Sequence, residues 1–429
     1  MARHEQPRRP PGPRGRLLTG NTRAYEADRI GFLRRCHRAY GDVFSFDERT
    51  VFVIDPDVTH EVLARTGQSF VTELAPFDMR RDLDQAAAQA TAWMSARRAA
   101  WPGLNRTAVA ASDDRTVEIL DAVLADGADP EGDVLTTMRV FSARAIADHC
   151  FGTDAADVTG LLHDIIRATR PFTDSSYEFP AWLPIPRHRD FFRSYRRLTD
   201  GLTGIVRQRR ASNAVEPRRD LLGLLLDADP DLPDDTVTST LHSILMGGHG
   251  VPAAALTSVV WELARRPRLV GDLRDEANGP RAASLTPALP LAEAVVRETL
   301  RLHPPAWLMT RTARTTAALG DWSVGPGDDV LLNAYLIHRD PRWWQRPDAF
   351  DPARWLDGRS APGAAYLPFG AGPRVCLGSP LALRQLTLAT SRIAQRFTID
   401  SPNAASVVPR FVGRLAPAGL RAGFRPVGA

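Results

Sequence analysis

The chain has 429 residues, 44% of them hydrophobic, enough to bury one large core or two or three ordinary ones. Its 54 Lys+Arg residues are all arginine, and against 50 Asp+Glu they leave a formal net charge of +4. That modest and scattered excess excludes a nucleic-acid arm and suits a basic patch for an acidic protein partner. Cys36, Cys150 and Cys376 are odd in number and form no C-x-x-C, which excludes a disulfide framework or a zinc site and fits a reducing cytosol.

Residues 1–22, rich in Pro, Arg and Gly, read as an extended segment over the surface, and residues 23–429 as the folded domain. The N-terminus carries charge but no apolar signal region, and no run approaches the ~20 apolar residues that span a bilayer. A cytoplasmic protein without membrane insertion is expected. "DVFSF" and "TVFVI" flank the turn-like "DERT" and resemble a hairpin. From about residue 56 to 310 helical periodicity dominates, interrupted by "FPAWLPIPRHR"; "TTAALGDWSVGPGDDVLLNAY" then returns to short strands and turns. There is no internal repeat and no linker. The expected fold class is mainly α with small β-sheets, in a single large domain.

Four stretches carry candidate chemistry. In "AWMSARRAAW", Trp93 and Arg97 lie four apart on one helical face, which alone reads as a core Trp with a snorkelling Arg. In "LHSILMGGHGVPAAALTSVVWELA" a long apolar helix holds Gly247, Gly248, His249, Gly250, Val251 and Pro252 in its middle. Pro252 has no N–H, so the carbonyl of Gly248 loses its helical donor and the helix should bend. In "AEAVVRETLRLHPP", Glu298 and Arg301 are three apart and can touch.

The fourth stretch, "FGAGPRVCLGSPLALRQL", sets Cys376 in a glycine-rich loop with a helix opening after it and Pro380 in an early-turn position. The helix dipole and backbone N–H groups there favour thiolate, which could ligate a soft or borderline metal, above all haem iron. Gly370, Gly372 and Gly378 would admit a large flat cofactor, and Arg374 could pair with a carboxylate. A buried structural cysteine and a phosphate loop remain alternatives, although Val375 breaks G-x-G-x-x-G and no lysine is present for a P-loop.

Phe369, Gly372, Arg374, Cys376 and Gly378 together match F-x-x-G-x-R-x-C-x-G, which resembles the haem-ligand signature of the cytochrome P450 family of haem-thiolate monooxygenases. With Trp93, Glu298 and Cys376 in the family's order, the resemblance covers nearly the whole chain. It implies haem b with Cys376 as iron ligand, seated by Phe369, Gly370, Arg374 and Gly378. Trp93, Arg97, Arg311 and Arg374 would then neutralise the two propionates. Glu298, Arg301 and Arg354 of "FDPARW" would brace the core without taking part in the chemistry, although Ala353 stands where the family commonly has glutamate.

The resemblance also implies that the central helix crosses the haem with A-G-x-(D/E)-T-T, whose acid and first threonine help deliver protons as dioxygen is activated. Here Gly250 stands for the acid and Val251 for the alcohol, and Gly248, His249 and Pro252 complete the altered stretch. A water or a substrate hydroxyl is the expected proton route, with His249, and equally His242 two turns earlier on a similar face, as candidate replacement acids.

Electrons are expected from a separate ferredoxin and ferredoxin reductase, docking on the cysteine side through arginines, with O2 as co-substrate. The substrate is expected to be a mostly apolar small molecule of secondary metabolism, lined by Phe77, Met79, Phe172, Phe179, Trp182, Trp307 and Met309. The missing acid and alcohol leave open non-hydroxylating oxidation (phenol coupling, ring closure, desaturation, nitration) or peroxide-driven oxidation. A non-catalytic haem-fold helper or sensor is the competing class.

Overall fold

The computed structural model of the chain describes residues 8–16, 19–72, 82–126, 132–173, 185–212, 219–279, 288–356 and 362–428. Their contacts divide into two compact units whose segments interleave along the chain, so no single cut separates them. The first comprises Met1–Trp93, Ala306–Ala349 and Ser360–Cys376; the second Met94–Pro305, Phe350–Arg359 and Leu377–Ala429.

The first unit is built on a five-stranded sheet in the order Val43–Ser45, Thr50–Val53, Asp329–Leu332, Met309–Ala313, Phe70–Thr72. The hairpin read from the sequence forms its edge, with Phe44 opposite Phe52 and the two rings stacked at 5.6 Å. Thr50–Val53 pairs in parallel with Asp329–Leu332, and the remaining pairings are antiparallel. Phe44, Phe52 and Phe70 are buried, which fixes which face of each strand is inward. The helix Pro56–Ala64 starts where it does because Asp55 accepts from the N–H of Val58 and Pro56, having no N–H, needs no acceptor in the first turn.

The second unit is helical, with two-stranded ribbons Phe397–Asp400/Gly423–Pro426 and Arg410–Val412/Arg414–Ala416. Its central element is the 31-residue helix Asp234–Ala264, which runs unbroken through Pro252. Leu241 and Leu245 from this helix join Ala143, Ile146, Ala147 and Cys150 of the helix Val134–Phe151 in one buried cluster. The two helices approach closely because of Gly248: a Cβ there would lie 2.5 Å from Cγ1 of Ile146. The central helix is long and apolar enough to cross a membrane by length and composition, but 67% of its most apolar window is buried inside the protein. Its hydrophobicity serves the core.

Arginine forks clamp the second unit. Arg209 donates to both carboxylate oxygens of Asp220 at 3.0 and 2.9 Å, and to Asp154 and the carbonyl of Phe151. Arg384 engages Asp113, and Arg392 engages Asp121. Planar guanidinium makes each a two-point contact that lysine could not reproduce.

The Glu298–Arg301 pair is wholly buried, both side chains 0% exposed. Arg301 Nε and Nη2 donate to Glu298 Oε2 and Oε1, each at 2.9 Å. Arg354 Nε donates to Oε1 at 3.0 Å, the N–H of Asp351 to Oε1 at 2.9 Å, and Trp355 Nε1 to Oε2 at 3.0 Å. Burial pushes the Glu298 carboxyl up, but the Arg301 hydrogen bonds and charge, with Asp351 and Arg354, outweigh it and hold the group below its ordinary value. Glu298→Gln should therefore cost about 3–5 kcal/mol, because the two arginines lose their carboxylate. Urea denaturation should show a lower midpoint at unchanged slope, and an unmoved midpoint would refute the brace.

Candidate active site

The loop before Cys376 is shaped by close backbone approach. Gly370 and Gly372 have φ of 69° and 70°, a region that other residues enter at a cost. A Cβ on Gly372 would lie 2.3 Å from the carbonyl oxygen of Leu63, so the position accepts no side chain without moving backbone. The N–H of Cys376 donates to the carbonyl of Phe369 at 2.9 Å, closing the loop. Upstream, Nε2 of buried His338 accepts the N–H of Leu367 at 2.8 Å, and its ring packs 5.6 Å from Tyr366. His338 was not singled out in the sequence, where a histidine far from the loop carries no local signal.

The three cysteines now separate. Cys36 and Cys150 are buried, and burial pushes the Cys36 thiol up to about 11 and that of Cys150 higher still. Cys376 is exposed. The helix Ser379–Arg396 begins three residues on, with Pro380 in its first turn. A Cβ at Gly378 would meet no protein atom within 4 Å, so protein packing does not ask for glycine there.

Arg374 places its guanidinium carbon 4.0 Å from the centre of the Trp93 ring, joining two residues read separately in the sequence. Arg311, on the strand Met309–Ala313, is buried, with Nε donating to Thr66 Oγ1 at 2.9 Å and Nη1 to the carbonyl of Thr310 at 2.7 Å. Arg97 follows Trp93 by one turn on the helix Leu83–Ala100 and is half-buried. Its neighbour Arg98 is exposed and donates to Ser95 Oγ at 3.1 Å.

This donor set suits haem b. It offers one accessible thiol, a metal ligand that leaves the other positions to a macrocycle, and it brings arginines to match two propionates. The residues fit the cofactor.

The central helix contributes a different surface. Val251 is 36% exposed between buried Gly250 and buried Pro252, an apolar side chain open to non-protein space in the middle of a core helix. His249 is buried and its Nδ1 faces the carbonyl of Leu245 at 3.2 Å, which makes that nitrogen the donor. Burial first, and then the charges of Arg414 and Arg139, push the His249 imidazole down to about 4. At neutral pH it holds no proton to spare as a cation. A Cβ on Gly250 would lie 2.9 Å from Arg414 Nη1 and 3.0 Å from its Cζ. Arg414, absent from the sequence reading, therefore stands where an acid side chain would reach.

Of the expected pocket residues, Trp307 is buried and Met309 half-buried in its strand. Phe77, Met79, Phe179 and Trp182, and the side chain of Phe172, lie outside the described residues.

The Cytochrome P450 family model matches residues 10–416. A cyclooctatin synthase from Streptomyces melanosporofaciens is 32% identical over 65% of this chain and 64% of its own length. The chain thus spans somewhat under two thirds of that relative. A cyclooctat-9-en-7-ol 5-monooxygenase from the same organism is 30% identical over 62% of this chain and 61% of its own length. A ferruginol synthase from Salvia miltiorrhiza is 27% identical over 90% of this chain and 87% of its own. Among solved structures, the cytochrome P450DA heme domain superposes with a TM-score of 0.81 at 20% identity, covering 98% of each chain, which establishes the likeness of fold.

Between pH 6.5 and about 4 the unfolded chain takes up a proton that buried His249 refuses, so stability falls as pH falls through that window. The shift amounts to about 3 kcal/mol at the acid end, and His249→Gln should flatten the melting temperature between pH 7 and 4.5. Because the Cys376 side chain is exposed, Cys376→Ala should melt within a few degrees of the parent in the cofactor-free state while losing the thiolate absorption signature of the reduced, carbon-monoxide-bound protein. Retention of that signature would assign the ligand elsewhere.

Proposed function

Because this chain belongs to the cytochrome P450 family, an oxidoreductase family using haem b with a cysteine-thiolate ligand, we propose that it oxidises a mostly apolar small molecule of secondary metabolism with the iron held by Cys376. The exposed thiol of Cys376, in a loop where Gly372 has no room for a side chain, is the observation that carries this reading. Haem b, when bound, supplies the oxidising iron centre. Arg374, stacked on Trp93, and buried Arg311 answer the propionates, and Arg97 takes the same part. The relative named as a cyclooctat-9-en-7-ol 5-monooxygenase, whose name is that of an unsaturated alcohol, supports a largely hydrocarbon substrate. Electrons come from a separate ferredoxin and ferredoxin reductase, and O2 is the co-substrate.

Oxygen insertion is the favoured reaction. Neither Gly250 nor Val251 can donate a proton, and neutral His249 is committed to Leu245. The carbonyl of Gly248, four residues before Pro252, is left to accept from a water or a substrate hydroxyl, which becomes the proton route. Val251→Thr should then change coupling of electron uptake to product by less than about twofold, and a large gain would refute the route. A second reading, oxidation without oxygen insertion, draws on the occupation of the acid's space by Arg414.

Comparative mass spectrometry of host metabolites with and without the gene tests both. Gain of one oxygen between accumulated precursor and missing product supports insertion. Loss of two hydrogens, or gain of a nitro group, supports the second reading, and no difference in the metabolite profile counts against an oxidative role.

A further inference from the structure

Among the described residues, buried Arg209 and Arg301 and half-buried Arg384 and Arg392 are each paired with a carboxylate. Arg414 departs from that pattern. It leaves the ribbon Arg410–Val412/Arg414–Ala416 half-buried, with its guanidinium against Gly250 of the central helix, and no carboxylate among the described residues lies within ion-pair distance. Arg139, half-buried on the helix Val134–Phe151, and exposed Arg410 likewise have no carboxylate partner among the described residues. Burial, and then the like charge of Arg139, push the Arg414 guanidinium below the usual arginine range.

These three arginines line one cavity of about 400 Å³, wholly within the second unit. Its lining also holds one carboxylate, exposed Asp133, whose Oδ2 accepts from the N–H of Thr136 at 2.9 Å and from Thr136 Oγ1 at 2.5 Å, capping its helix. Three cations therefore share the cavity with a single acid, which lies at ion-pair distance from none of them. Half-buried Arg414 and Arg139 repel each other, and an anion entering between them would relieve that repulsion. Leu135, Ala254, Val412 and Ala416 supply an apolar flank to the same cavity, and its volume falls in the range of small-molecule sites.

We propose that this cavity binds an organic anion, an oxyanion head group, carboxylate or phosphoryl, on a short apolar body, gripped by Arg414 and Arg139. The head group takes the fork of Arg414, which is suited to two-point recognition of either oxyanion. The apolar body lies along Leu135 and Val412. Gly250 is part of the device: its missing side chain leaves Arg414 without an internal counter-ion and so available to an external one. The site stands independently of which oxidation the iron performs.

The test is calorimetric and thermal titration of the purified holoprotein with hexanoate, hexyl phosphate and neutral hexanamide. At least one of the two anions should bind saturably in the millimolar range and raise the melting temperature, hexanamide should do neither, and the better anion identifies the head group. Arg414→Gln should weaken that binding at least tenfold. Gly250→Asp should weaken it similarly with every arginine still present, because the new carboxylate takes the Arg414 fork from within. Failure of both anions to bind, an equal response to hexanamide, or unchanged affinity in either variant that retains the parent's circular dichroism spectrum would overturn the proposal. Should one variant fail to fold, the other decides.

Discussion

A carboxylate with no exposed surface has to collect enough donors to replace its water, and Glu298 does so with five hydrogen bonds from four residues: Arg301, Arg354, Trp355 and the backbone of Asp351. The helix Pro290–Leu302 and the Asp351–Trp355 segment, far apart in sequence, are thereby held in one arrangement. The constraint is asymmetric: removing the acid takes the carboxylate from two arginines at once, whereas removing Arg354 leaves it the donors of Arg301, Trp355 and Asp351. The helical core of the second unit is organised around this fixed joint, with the Arg384–Asp113 and Arg392–Asp121 clamps repeating the same chemistry nearer the surface.

What was legible in the sequence follows from how local each signal is. The cysteine loop is a contiguous string, with backbone proximity demanding glycine at Gly372, so residue order alone carried it. Glu298 and Arg301 needed only helical spacing, and the hairpin at Val43–Val53 only alternation and a turn. The Glu298 network was readable in its acid and two arginines, but Trp355 and the amide of Asp351 join through geometry that no spacing rule reports. The stacking of Arg374 on Trp93 and the support of the loop by His338 belong to the same class. Arg414 was illegible for a stronger reason. In a chain whose every basic residue is arginine, one more attracts no notice until its distance to Gly250 and its lack of a carboxylate are known.

Glycine does three separate jobs in this molecule. Gly372 admits a neighbouring carbonyl, Gly248 lets two core helices touch at Ile146, and Gly250 leaves room for a guanidinium. The first two serve packing. The third serves charge: what fills the space beside Gly250 is the Arg414 guanidinium.

The geometry couples position 250 to position 414. An aspartate placed at Gly250 would meet the Arg414 guanidinium at once and be held ionised by it, a hydrogen-bond acceptor with no proton to give. An acid able to donate a proton there would need a second change at Arg414, in a ribbon remote in sequence, so neither position can be redesigned without the other.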